Sequence, residues 1–351
     1  NGAARANKLQ TFTSASGRAH ENEEDSTRGV YTIAPGETPL DNSFKDQRGV
    51  VSIGWTTAPK NGYTATTGAA ISSEHDFTSF SVNGAIKRDF NDKNTTLSLG
   101  TNLEFDNIKP IGGVPVPLGT YSAHATQNGQ DSKQVYDLMA GLTQAINRHW
   151  IAQLNISVSA SSGYQNDPYK MLTVANDGNL MLDPGEAQDY LYLYESRPDK
   201  RNKTSVYLQN KFSVFSDDAI DVDYRRMQDD WGISSDTLDL TYHKKVSDRF
   251  YFEPHYRFYR QSAADFYYPF LDAGSDVIVT ESSVQSQVAH ASSDPRLAAF
   301  TADTVGLKLG FPVSDDEEYS VRVEYYQQQD DNSASALPPG SDLYGYSQFP
   351  A

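Results

Sequence analysis

The sequence predicts an all-β fold: an antiparallel up-and-down β-barrel of the membrane-spanning kind, with about twelve strands. Three observations carry this expectation. Apolar and polar residues alternate with a period of two over most of the chain after residue 46. The alternating segments run to about ten to fourteen residues, against a usual ~5–6 in soluble sheets, and a tilted bilayer-crossing strand needs that length. The connections between them alternate strictly between short and long.

The strands are expected at 46–58, 62–74, 77–89, 94–106, 133–147, 150–162, 203–215, 219–229, 235–246, 249–262, 299–311 and 318–330. Thr95–Phe105 sets Leu97, Leu99, Leu103 and Phe105 on one face and Ser98, Asn102 and Glu104 on the other. Trp150–Ser159 opposes Ala152, Leu154, Ile156 and Val158 to Gln153, Asn155 and Ser157. Ala219–Arg226, Asp236–Lys245 and Tyr319–Tyr325 repeat the pattern with charged residues in the polar row. Coiled as helices, these segments would scatter charge around every face.

The short turns fall at 60–62, 91–93, 147–149, 216–218, 247–249 and 314–317, rich in the Asn, Asp, Gly and Ser that tight turns favour. Between them lie long segments at 107–132, 163–202 and 263–298, with two shorter ones near 75 and 230. Short turns at one end and long loops at the other are the layout of an outer-membrane barrel, periplasmic and extracellular respectively. The polar ends, 1–45 and 331–351, both fall on the long-loop side. The expectation is therefore one barrel domain over 1–351 lacking its first and last strands, with about sixteen in the intact protein.

Composition narrows the class. A net charge of -17 argues against nucleic acid as a partner, because phosphate recognition needs a basic face. The absence of Cys removes disulfides, thiol nucleophiles and Cys-held metals. No apolar run reaches the length of a membrane-spanning helix, and mean hydropathy is -0.60. A barrel tolerates that value, since only alternate residues face lipid.

If the apolar rows face lipid, the polar rows line a lumen. That row holds Asp221, Asp223 and Arg225; Asp239, His243 and Lys245; Glu253, His255 and Arg257; Lys308; and Arg322 and Glu324. Opposite charges on neighbouring strands can pair across a sheet. The plain account is a salt-bridged wall or plug; the functional one is a lining that selects a polar or charged solute, with mixed signs disfavouring strong ion selectivity. Glu253 and His255 share a face as a base and its orienter would. No Gly-x-Ser-x-Gly elbow accompanies them, and an enzyme is not expected.

The loop 176–186 concentrates oxygen ligands in Asp177, Asn179, Asp183 and Glu186, a faint Ca²⁺ signal. Met181 occupies the place of a third ligand, and a turn-rich solvated loop accounts for the same residues. No other cofactor is suggested. Phe266, Tyr267, Tyr268 and Phe270 are expected in an interfacial girdle, with a loop core or a ligand platform as alternatives. Pro254, inside a strong strand pattern, is expected to mark a bulge or an interrupted hydrogen bond.

Four stretches resemble an uncharacterised family of Gram-negative bacteria, domain-of-unknown-function family three thousand five hundred seventy. They are LYLYESRPDKR at 191–201, DDWGISSDT at 229–237, YFEPHYRFYRQSAADFY at 251–267, and SDPRLAAF at 293–300 followed by GLKLG at 306–310. The third is long and distinctive, and the resemblance covers most of the chain. It implies an outer-membrane barrel with envelope redox proteins as neighbours, and offers no catalytic residues to transfer.

The leading expectation is a channel or export conduit in the bacterial outer membrane, for a polar solute or a partner chain. A plugged barrel that scaffolds envelope proteins is the alternative, and a membrane-embedded hydrolase the third. The expected partners are the bilayer, lipopolysaccharide and a periplasmic protein.

Overall fold

The computed structural model describes residues 10–13, 30–33, 47–58, 62–110, 112–121, 129–177, 179–184, 191–215, 218–314 and 317–330. A short hairpin, β1 (Gln10–Thr13) and β2 (Val30–Ile33), comes first. Six strands follow in meander: β3 (Gly49–Thr57), β4 (Tyr63–Ser73), β5 (Phe77–Phe90), β6 (Thr95–Ile108), β7 (Asp131–Asn147) and β8 (Trp150–Gly163). The next connection holds β9 (Met171–Asn176), β10 (Asn179–Leu180) and β11 (Tyr192–Tyr194). Then come β12 (Lys200–Phe215), β13 (Asp218–Asp229), β14 (Ser234–Ser247) and β15 (Phe250–Gln261). β16 (Leu271–Asp272), β17 (Val277–Thr280) and β18 (Ser283–Ser286) occupy another long connection, before β19 (Phe300–Pro312) and β20 (Glu318–Asp330).

Twelve of these strands, β3–β8, β12–β15, β19 and β20, form one antiparallel sheet in which every strand pairs with its neighbour in the meander. The chain builds the wall of an up-and-down transmembrane β-barrel. The twelve strands coincide with the predicted spans to within a few residues at each end. The turn chemistry is as expected: Asn91, Asp92 and Lys93 take left-handed conformations, and the Asn147 side chain accepts from the His149 amide at 2.8 Å.

The register carries the alternation from strand to strand. On one face Leu97 pairs with Leu142, Leu142 with Leu154, Leu154 with Leu208, Leu208 with Tyr224 and Tyr224 with Leu238. Leu97, Leu99, Leu138, Ile156, Val305 and Val323 on this face are exposed. A row of solvent-facing Leu, Ile and Val has no stable place in water, whereas lipid matches it. At the short-turn end the same face carries aromatic residues: Trp150 stacks on Phe212 at 5.6 Å, Phe250 meets Phe311 at 5.4 Å, and Arg88 lies over the Tyr63 and Phe90 rings. This is the aromatic girdle of a membrane interface.

The predicted girdle at 266–270 is corrected. Phe266 is buried against Trp231, edge to face at 5.1 Å, and Tyr267 and Tyr268 pack on loop cores. Of the three accounts of that cluster, the loop core is the one observed. These residues follow the end of β15 on the long-loop side and so leave the lipid-facing surface. Pro254 interrupts the ladder without a bulge: pairing of β14 with β15 runs to Thr241–His255 and resumes in register at Lys244–Phe252. A residue without an amide hydrogen cannot complete that rung.

The long connections fold together. β9 pairs with β10, β11 and β16, and Thr120 bridges Leu193, so all three long loops share one small structure. Leu172, Val174, Leu191, Leu193 and Leu271 are fully inaccessible at its centre. A second cluster, Trp231, Ile233, Ala264, Phe266 and Leu297, lies beside it. Each buried Leu contributes about 1.5–3 kcal/mol through apolar burial, which is why these loops form a folded cap.

Candidate functional site: the charged inner wall and the cap above it

The polar rows of β13, β14, β15, β19 and β20 share one face. Asp221 pairs with Thr241, Thr241 with His255, His255 with Gly306 and Gly306 with Glu324. Asp223, Asp239, Arg257 and Thr304 form the next rung on that face, and Arg225, Thr237, Tyr259 and Ala302 the one after. All the residues predicted for the lumen therefore lie on the face opposite the lipid row.

Their side chains gather into two groups around histidines. His255 lies between two carboxylates, with Nε2 at 3.1 Å from both oxygens of Asp239 and Nδ1 at 3.3 Å from Glu324 Oε1. Glu324 also meets Arg322 at 3.4 Å. His243 Nδ1 lies 3.3 Å from Glu253 Oε1, and its ring tilts over Tyr251 at 4.6 Å. Lys308 joins this group: its ammonium donates to Tyr251 Oη at 2.5 Å and lies 3.4 Å from both Glu253 and Glu318. Asp221 pairs with Lys211 at 3.1 Å. Lys245 stands apart, 2.9 Å from Asp248 in the adjoining turn.

Toward the long-loop end the inner wall opens into a cavity of about 390 Å³. Asp223, Asp239, Arg225 and Arg257 line it together with Tyr207 and Tyr259. Arg225 donates from Nε to Ser205 Oγ at 2.9 Å. One oxygen of Asp223 is buried, and the Tyr207 hydroxyl bonds that carboxyl. Tyr207 and Tyr259 were absent from the predicted lining. Both continue the period-two polar rows of their own strands, Tyr207 two residues before Gln209 and Tyr259 two after Arg257, and that row would have found them.

The cap closes over this cavity. Met227, on the inner face, packs against the Trp231 cluster. Gln261, also inward, donates from Nε2 to the Ala298 carbonyl at 2.7 Å and to that of Arg296 at 3.0 Å. Arg201 pairs with Asp229 at 2.5 Å and lies over the Trp231 ring at 4.3 Å. An ion network ties two of the cap's loops to each other. Arg197 bonds Glu195 at 2.7 Å and Asp294 at 2.9 Å, and Arg296 bonds Asp294 at 2.5 Å. Ser292 donates to Glu195 at 2.5 Å.

The Glu195 and Asp294 side chains are each about 1 % exposed. Burial pushes the Glu195 carboxyl above its ordinary range, against the pull of Arg197. Burial would also raise Asp294, but the bonds from Arg296 and the charge of Arg197 outweigh it and hold its pKa at about 2. These residues come from the motifs at 191–201 and 293–300, whose joint role nothing in a linear sequence displays.

The loop at 176–186 lies at the margin of the cap. Asp177 takes a left-handed turn at φ 46 and Asp183 is half-buried; Glu186 lies outside the described residues, as does the Asn179 side chain. Among the described residues no three His, Asp or Glu side chains gather as a metal site.

Fold and site together define a transmembrane β-barrel with a charged inner wall and a folded cap at its long-loop mouth. The chain belongs to the family described as protein of unknown function (DUF3570), whose model matches residues 1–348. No curated protein matches it. Among solved structures, the chain is similar to the ferric enterobactin receptor PfeA of Pseudomonas aeruginosa, at a TM-score of 0.50 and 9% identity over 81% of this chain and 43% of that one. It is also similar to the siderophore receptor PirA of Acinetobacter baumannii, at a TM-score of 0.49 and 8% identity over 81% and 43%. The chain spans less than half the length of these receptors, and what it shares with PfeA is the barrel fold.

Proposed function

We propose that this protein is a gated conduit of the bacterial outer membrane, with its long loops outside, that carries a small polar solute along the inner wall. The observation behind this reading is the cavity between Asp223, Asp239, Arg225 and Arg257, directly beneath the cap. A wall built only to be wet needs polar residues, not a pocket with open charges of both signs at the mouth. The cap is the gate, because the Gln261–Ala298 bond and the packing of Met227 on the Trp231 cluster hold it over the inward-facing residues, while Arg197–Asp294 joins its loops to each other.

Single-channel recording of the full-length protein in planar bilayers tests this. The parent is expected to conduct rarely and the Asp294→Ala variant far more often, since it frees the cap. A steady, wide conductance in the parent would overturn the gate. The cap's own packing favours a second reading, a plugged barrel that docks envelope proteins; silence in both parent and variant would favour that.

A further inference from the structure

The cavity beneath the cap has a charge pattern that selects its ligand. Asp223 and Asp239 face each other across the β13–β14 pair, about 5 Å apart at the backbone. Two adjacent carboxylates repel, and a cation between them relieves the repulsion. Each has part of its demand met. Gln209 approaches Asp223 at 3.5 Å, the Tyr207 hydroxyl also bonds that carboxyl, and His255 Nε2 lies 3.1 Å from both oxygens of Asp239. The second oxygen of Asp223 is buried at the edge of the cavity.

Arg257 is the opposite pole. It pairs with Asp239 in the backbone register, yet its guanidinium makes no ion pair or side-chain hydrogen bond among the described residues, and it lines the cavity exposed. Arg225 has only its Nε engaged, leaving the outer nitrogens of its fork to the cavity. Guanidinium forks recognise carboxylates in the plane, two bonds at a time. The volume lies within the usual ~300–1,000 Å³ of small-molecule sites. Tyr207 and Tyr259 supply rigid walls with little entropy to lose.

We infer that the cavity binds a small zwitterion, its ammonium group between Asp223 and Asp239 and its carboxylate on Arg257 and Arg225. This rests on the conduit reading above and names the class of solute it would carry. A singly charged solute leaves one pole unanswered, and an uncharged one leaves both.

Calorimetry on the full-length protein in detergent tests it, with triglycine as the probe. N-acetyl triglycine and triglycine amide are the matched ligands that each lack one charge. Triglycine is expected to bind, and each blocked form at least ten-fold more weakly. Arg257→Gln should cancel the discrimination against the amide and keep that against the acetylated form. Asp223→Asn should do the reverse. Heat-modifiable gel migration shows that each variant is folded, and Arg257→Lys supplies a milder form of the first. Equal binding of all three ligands, no binding of triglycine, or discrimination unchanged in both variants would overturn the inference. Conductance is recorded alongside: an intact gated conductance with no triglycine binding removes the zwitterion site alone, while triglycine binding by a non-conducting barrel removes the conduit alone.

Discussion

His255 and Glu324 meet across a strand that offers no side chain at the crossing point. Nδ1 lies 3.3 Å from Oε1, and Gly306 of β19 sits between them in the register. A Cβ at position 306 would come within 3.0 Å of Glu324 Cγ and 3.4 Å of His255 Cβ. The glycine is the reason that charges from β14, β15 and β20 form one group.

Gly306→Val should therefore separate His255 from Glu324. Glu324 is partly exposed and flexible, so the loss is expected to be modest, about 1 kcal/mol or less. Gly310→Val should be worse. There a Cβ would fall 2.0 Å from the Tyr251 ring, which lies flat over the glycine while holding Lys308 and Glu318. Displacing that ring is overpacking, worth about 1–3 kcal/mol. Denaturant midpoints of the vesicle-inserted protein, compared between the two variants, check the ranking; equal midpoints would contradict it.

The lipid face predicts an asymmetry on one strand. Leu138 of β7 is on the exposed apolar row, and its neighbour Asp137 faces inward against Asn102. Leu138→Arg is expected to cost about 2–4 kcal/mol if the residue lies near the bilayer midplane. Asp137→Asn should be close to neutral, because it keeps its place in the wet interior. Refolding into vesicles separates the two.

The cap should fail as a unit. Arg197→Met leaves Glu195 and Asp294 buried beside one cation fewer, which for a buried pair costs about 3–5 kcal/mol. Leu193→Ala removes a fully buried side chain from the larger cap core, at about 2–5 kcal/mol. Hydrogen exchange is expected to speed up across 171–176 and 192–194 in both, while the barrel strands stay protected.

Acid should loosen the cap first. The Asp294 pKa falls from an ordinary 3.8 to about 2 in the folded cap, so the folded state holds its proton less tightly than the unfolded one. That stability is complete above pH ~4 and is lost as pH falls toward 2, about 2 kcal/mol in all. Glu195 acts in the opposite sense: its carboxyl is raised, so the folded cap welcomes its proton and gains as pH falls. Replacing Glu195 with Gln should therefore leave the acid loss between pH 4 and 2 in place, and Asp294→Asn should abolish it. Fluorescence of Trp231, 3 % exposed in the cap, follows the transition in a Trp55→Phe, Trp150→Phe background.

Much of the wall was legible in the sequence. Period two assigns each residue of Asp236–Lys245 to a face once one of them is placed, and short Asn- and Asp-rich turns fix which strands are neighbours. That the residues from Asp221 to Glu324 share one face followed from that alternation alone. The cap did not. Leu172, Leu193 and Leu271 lie in three short segments without a sustained period, and what makes them a core is contact between residues far apart in the chain. The same holds for Arg197 with Asp294, and for Phe266, whose aromatic neighbours suggest a girdle until Trp231 covers it.

Local pattern thus determined the strands, their faces and which charged residues share a face, because a pleated strand repeats every two residues and needs no distant information. Only the tertiary structure decided which charges meet, that the loops fold over the mouth, and where the open pocket lies. Those depend on strand register, on the one glycine between His255 and Glu324, and on the packing of three loops far apart in the chain.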